Sequence, residues 1–275
     1  MSIEADKEFK WVRECPGHKG KECLSVGKSG SLHLIRYRGV ADYLLSHHDS
    51  TVRWKVHSEG SDEERAVHLG MNQVIPMILS TQNRLLLHAS CVTLNNGAAI
   101  AFSGPSGIGK STLAKALSIR PEIQALADDW ISIALSSSVA FASAYSQSIC
   151  DTIDSTPSTL IENPTGDKLP GREFRVHEIE KHRSEPHPLG AIYLLEAPEK
   201  HNPIKSKKVP PKTAYVDVAR NLFRLDPSDH KQLQKELRLL LTLLQSVPVF
   251  SLSYPRELDQ LSSLTKHVLA NHAID

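Results

Sequence analysis

An α/β fold follows from three features of the sequence. Strand-like and helix-like periodicities alternate along most of the chain, a Gly-rich turn separates a strand pattern from a helix pattern, and paired acids close the next apolar run. With 275 residues, the chain can bury a substantial core and hold a main domain with a smaller companion. The expected division is a small β-rich N-terminal region at 1–64 and an α/β domain at 65–275.

The N-terminal region carries the β-type runs LHLIRY and TVRWKV between clusters of Gly, Ser, His and Asp. From Arg65 to Ser80, Val67, Met71, Val74, Ile75, Ile78 and Leu79 recur at helical spacing, with Pro76 expected to kink the helix. Next come LLLHASCVTL and AAIAFSG, joined by Asn95, Asn96 and Gly97, a turn composition that favours positive φ and a tight antiparallel hairpin. Antiparallel partners keep a constant index sum, so counting back from the turn sets His88 opposite a residue between Ser103 and Pro105, at the mouth of the Gly-rich turn.

Between Ser111 and Leu117, Leu113, Ala114, Ala116 and Leu117 are good helix formers and no Gly or Pro intervenes, which gives the order strand, Gly-rich turn, helix. The run QALADDW then ends in Asp128 and Asp129, and ISIAL follows as another strand candidate. Residues 143 to 188 show little periodicity over a length unusual for a structureless connection, which marks them as functional or mobile. AIYLLEA restores a β pattern, HNPIKSKKVPPK reads as a Lys- and Pro-rich loop, and KQLQKELRLLLTLLQ reads as an amphipathic helix. The strand PVFSLSY and a helix from about Glu257 to Leu269 complete the pattern.

Lys plus Arg number 32 against 31 for Asp plus Glu, so no global field recruits nucleic acid or an anionic membrane, and neither is an expected partner. The first residues, MSIEADKEFKW, are charged where a secretory signal would be apolar, and no stretch approaches the ~18 apolar residues of a membrane span. A cytoplasmic location is expected. Cys15, Cys23, Cys91 and Cys150 are too few for a disulfide-stapled scaffold of this length and read as ordinary thiols.

The segment GPSGIGKS fits GxxxxGK[ST] through Gly104, Gly109, Lys110 and Ser111, a spacing that arises by chance in about one chain in a hundred of this size. A helix N-terminus offers unpaired N–H groups and roughly half a positive charge, and glycines let the backbone wrap a phosphate chain. Gly104, Pro105, Ser106, Gly107, Ile108, Gly109, Lys110, Ser111 and Thr112 are therefore candidates for binding a nucleotide, with Lys110 reaching its outer phosphates. The Ser111 hydroxyl suits Mg²⁺.

Asp128 and Asp129 lie eighteen residues or more beyond Lys110, where the carboxyl edge of a sheet returns them toward the loop. One can hold Mg²⁺ and the other accept a proton, because adjacent strand residues point to opposite faces. A base beside Mg²⁺-bound ATP suits phosphoryl transfer to a hydroxyl, and an ATPase would show the same loop and acids.

The run LLLHASCV, the hairpin, GPSGIGKSTLAKAL and LADDW together resemble the catalytic domain of HPr kinase/phosphorylase and related P-loop serine kinases, most strongly over residues 71 to 133. PLGAIYLLE and PVFSLSYPRELDQL resemble later core strands and the C-terminal helix of short members, some similar to kinases that tailor lasso-peptide precursors. The resemblance implies a P-loop kinase core with a mixed sheet and flanking helices, using ATP and Mg²⁺. It implies that Lys110 and the loop backbone bind the triphosphate, Ser111 and Asp129 serve the metal, Asp128 is the base, and His88 matches the histidine ahead of the loop. The metal and base roles of the two acids are interchangeable at this stage.

A basic loop that clamps the phosphoryl group in this family would correspond to Arg172 and Arg175 in PGREFRVHE. The N-terminal part does not match that of the bifunctional enzyme, so phosphorolysis and homo-oligomer formation stay open. The expected partner is a peptide or protein carrying an acceptor serine. Phosphorylation of free serine or another small molecule, and a non-catalytic ATP-binding regulatory module, are the alternatives.

Other groupings are weaker. Cys15, His18 and Cys23 lack the second close pair of a zinc finger, and His177, His182 and His187 would turn about 140° from one another on a helix. His47, His48 and Asp49 read as a polar turn, and Lys205, Lys207, Lys208 and Lys212 as a solvated loop.

Overall fold

A computed structural model describes residues 9–14, 23–48, 50–57, 61–137, 139–145, 159–162, 168–197, 203–255 and 257–272. The strands are β1 (Lys10–Arg13), β2 (Leu24–Ser29), β3 (Leu32–Tyr37), β4 (Ala41–Ser46), β5 (Thr51–Val56), β6 (Leu85–Leu87), β7 (Ala89–Leu94) and β8 (Ala99–Ser103). They continue as β9 (Ile123–Ala127), β10 (Ile131–Ser136), β11 (Val139–Ser143), β12 (Thr159–Glu162), β13 (Lys168–Arg175), β14 (His187–Leu195), β15 (Lys205–Lys208) and β16 (Val249–Ser253). The α-helices are α1 (Ser61–Leu69), α2 (Ile75–Leu79), α3 (Lys110–Leu117), α4 (Val176–Glu180), α5 (Pro211–Ala219), α6 (His230–Ser246) and α7 (Leu261–Ala270).

The chain divides into two compact units. The first comprises Met1–Thr81, Tyr145–Arg183 and Arg224–Lys231, and the second Gln82–Ala144, Ser184–Phe223 and Gln232–Asp275. In the first unit, seven strands follow the order β1-β2-β3-β4-β5-β13-β12. LHLIRY and TVRWKV form β3 and β5, as their β-branched and aromatic content predicts. The segment 143–188 departs from expectation, since it supplies β12, β13 and α4 where the sequence shows no period. β13 pairs with β5, setting Arg172 opposite Trp54 and Phe174 opposite Val52, so tertiary pairing supplies the order that local pattern lacks.

The helix expected at 65–80 begins at Ser61 and changes pitch midway. Gly70–Val74 form a π turn in which the Ile75 N–H reaches back to the Gly70 carbonyl. Pro76, which has no N–H to give a preceding turn, follows this widened turn at the start of α2, so the expected kink takes the form of a π turn.

The second unit is built on a nine-stranded mixed sheet with the path β6-β10-β11-β14-β8-β7-β9, and β16 and β15 attach beside β14. β8 and β16 run parallel to β14, while β7 runs antiparallel to both β8 and β9. Alternate residues of the strands face opposite sides. Ile100, Phe102 and Tyr193 pack with Leu113 and Leu117 of α3 and Leu264 and Val268 of α7. Ala101, Ile192 and Leu194 pack with Ala214 and Val218 of α5 and Leu240 and Leu243 of α6.

Two further expectations change. The lysine-rich stretch is the strand β15, paired with β16 and carrying Lys205, Lys207 and Lys208 exposed, and the last helix is preceded by a 3-10 turn at Leu258–Gln260. Among the described residues, no helix is long and apolar enough to cross a membrane.

Candidate functional site

β8 ends at Ser103, a turn occupies residues 104–109, and α3 begins at Lys110. Gly109 caps α3 with φ +109°, a conformation that side chains disfavour, and a Cβ there would lie 3.0 Å from the Tyr254 hydroxyl. That hydroxyl donates to the Ile108 carbonyl, so Tyr254 braces the turn from the end of β16. No side chain caps α3, and the Leu113 N–H closes its first turn on the Gly109 carbonyl at 3.0 Å. The N–H groups of that first turn therefore have no acceptor within the helix.

Lys110 is buried, with 6% of its surface exposed. Its Nζ donates to the carbonyls of Gly104 at 3.0 Å and Pro105 at 3.1 Å. Burial lowers its pKa, while Asp129 and then Asp128 act to raise it. These partners are neutral carbonyls, so among the described residues the ammonium charge is countered through space by the acids and not by a direct ion pair. Pro105, Ser106, Gly107 and Thr112 are exposed, whereas Ser111 is half-buried.

The acids arrive by strand register. β7 pairs with β8 through Ala89 and Ser103, and with β9 through Cys91 and Ala127, so the C-terminal ends of β8 and β9 both lie at the start of β7. The Ala89 N–H donates to the Asp129 carbonyl at 3.2 Å. The buried Ser90 hydroxyl donates to the Asp128 carbonyl at 2.5 Å and lies 3.4 Å from its Oδ1. Asp128 Oδ2 is 3.5 Å from Lys115 Nζ, and its side chain is 49% exposed, within reach of an incoming group.

His88 separates β6 from β7, and continuing the β7–β8 register by one residue sets it opposite Gly104, within the expected range. Its N–H donates to the Asn221 carbonyl at 2.8 Å, and its own carbonyl accepts from Ser103 Oγ at 2.9 Å. The imidazole packs against Phe223 with ring centres 5.9 Å apart. Burial, and secondarily the Lys110 charge, push its pKa down to about 4, so the ring is neutral at pH 7.

The structure thus brings together His88, the loop 104–112, Asp128 and Asp129 in one unit. Arg172 and Arg175 belong to the other unit, on β13. Arg172 forms an ion pair with Glu63 and stands over the Trp54 ring, 5.4 Å from its centre. Arg175 is exposed, and its backbone N–H donates to the Glu178 carboxylate at 2.9 Å.

Sequence reasoning missed Ser90 and Tyr254. Ser90 had a faint signal, a hydroxyl inside the apolar run LLLHASCV two residues after His88. Tyr254 had none, because its contact spans 146 residues of chain.

No family model matches the chain, and no curated protein matches it. Among solved structures, the Hpr(Ser) kinase/phosphatase from Coxiella burnetii is similar over 68% of this chain and 95% of its own, with 14% identity and a TM-score of 0.34. So weak a likeness carries neither fold nor activity across to this chain.

Proposed function

We propose that this chain is an ATP- and Mg²⁺-dependent kinase that transfers the γ-phosphate to a serine hydroxyl of a peptide or protein. One observation carries the reading: β7 draws the uncapped start of α3 with Lys110, and the acids Asp128 and Asp129, to one end of one sheet. The residues fit the nucleotide and the metal. Gly109 leaves no room for a side chain, Lys110 donates to two neutral carbonyls, and Ser111 with Asp129 supplies oxygen ligands of the kind Mg²⁺ takes. When bound, the metal would supply charge neutralisation between the outer phosphates.

In this reading Asp129, which acts more strongly on Lys110 than Asp128 does, stands on the metal side. Asp128, half-exposed and held by Ser90, takes the acceptor proton. The serine oxygen bonds to the γ-phosphorus as the bridging P–O bond breaks and ADP leaves. Neutral His88 adds no charge beside Lys110 and can hydrogen-bond a phosphate oxygen or the acceptor. Arg172 and Arg175, on β13 of the other unit, are assigned no part in this step.

Incubation with Mg-ATP and candidate peptides, followed by mass spectrometry, should reveal phosphoserine. An Asp128→Asn variant that transfers phosphate as fast as the parent would remove the base assignment.

A further inference from the structure

Beside the Gly-rich turn, a cavity of about 290 Å³ opens between the start of α3 and the segment that follows β16. Ile108, Leu113, Tyr254 and Leu264 form apolar walls, and Glu257 and Gln260 add polar groups. Apolar walls with a few placed polar groups are the usual composition of a small-molecule site, and this volume is near the lower limit for one. It suits a flat bicyclic ring better than a whole nucleotide.

Its position in the sheet is specific. The strands run β16, β14, β8, β7, β9 across this part of the sheet, with the Gly-rich turn on β8. The acids follow β9 on one side of the turn, and the cavity adjoins the segment after β16 on the other. A nucleotide also has two ends. Gly107 and Gly109 line the cavity as well as forming the turn, so a ligand lodged there is continuous with phosphates held by the turn.

The geometry points to this cavity as the site of the adenine base, with Gln260 and Glu257 reading its amino edge. The inference rests on the nucleotide reading proposed above and adds where the base lies and what selects it. A carboxamide offers one donor face and one acceptor, matching the N6 amine and N7 of adenine, and a carboxylate accepts from the same amine. Inosine presents a carbonyl at that position, which faces Glu257 acceptor to acceptor.

The test is titration calorimetry in Mg²⁺ with ATP, ITP and inorganic tripolyphosphate. ATP should bind at least about 100-fold more tightly than tripolyphosphate, and about tenfold more tightly than ITP, the discrimination one hydrogen bond to a charged group supplies. Leu261→Trp, which fills the cavity from a half-buried position, should bring ATP down to the affinity of tripolyphosphate. Glu257→Ala and Gln260→Ala, both at half-buried positions, should narrow the ATP-to-ITP ratio, and they decide the matter if Leu261→Trp fails to fold.

Equal binding of ATP and tripolyphosphate would overturn the base site while the phosphate reading stands. An ATP preference untouched by all three substitutions would overturn it too. Binding of neither ligand would sink the nucleotide reading itself.

Discussion

Lys110 and Arg172 are both cations that the sequence offers to a phosphate, and their surroundings differ in kind. Lys110 rests on two backbone carbonyls inside the second unit, while Arg172 is paired with the Glu63 carboxylate and a Trp54 ring inside the first. An anion approaching Lys110 displaces neutral dipoles from an ammonium that Asp129 and Asp128 offset only through space. An anion approaching Arg172 must compete with a carboxylate already in contact, and guanidinium–carboxylate pairs of this type hold their geometry well. The comparison teaches that a candidate phosphate ligand is better judged by what it would have to release than by its charge.

The largest effect that would break this contrast concerns Lys110. Lys110→Met should lower phosphoryl transfer about 10³-fold or more and abolish measurable ATP binding by calorimetry, and near-parental binding would place the two cations on an equal footing. Asp128→Asn should reduce single-turnover transfer about 10²-fold or more with ATP affinity little changed, since it removes a proton acceptor and not a phosphate contact.

Gly109→Ala should destabilise the second unit by about 1–3 kcal/mol in denaturant unfolding, because positive φ and the Tyr254 hydroxyl both resist a Cβ there. Arg172→Ala should lower stability by about 1 kcal/mol and leave ATP affinity within about twofold. A large loss of ATP affinity would instead move Arg172 to the side of Lys110.

The smallest effect is one of pH. His88 has a folded pKa of about 4 against an ordinary 6.5, so the unfolded chain binds more protons between those values. Its contribution to stability is full above pH 6.5, declines as pH falls toward 4, and is level below. His88→Gln should flatten thermal melting temperature against pH across that window. His33, in the first unit, is also pushed down to about 4 by burial, with His47 and Lys28 adding to the effect and Asp226 opposing it. His33→Gln should flatten the same window from the other unit, and a parental pH profile in His88→Gln would show that His88 is not held neutral.

Legibility in the sequence followed the range of the interactions. The Gly-rich turn and the hairpin at Asn95–Gly97 are local patterns that take the expected strand and helix flanks, whereas the acids lie in a bend just past β9 and not on the strand from which opposite-facing roles were expected. The placement of His88 opposite Gly104 also came from sequence, because an antiparallel register needs only one turn to be known. Less local features stayed hidden. The run 85–94 divides at His88, whose N–H turns to the Asn221 carbonyl, so β6 pairs with β10 while β7 pairs with β8. β13 joins the N-terminal sheet through a partner more than a hundred residues away, and the cavity beside the turn is completed by Tyr254 and Leu264. Neither pairing leaves a trace in local hydrophobic period.

The hairpin at Asn95–Gly97 acts as a ruler for chemistry at the opposite end of its two strands. Because Thr93 faces Ala99 and Ala89 faces Ser103, one extra residue in that turn would slide β7 along β8 and carry His88 and the tether of Ser90 to Asp128 out of step with the Gly-rich turn. Under the proposed kinase reading, loop length at this remote, solvent-facing bend sets the register of the site, and an insertion there should lower phosphoryl transfer without replacing any residue of that site.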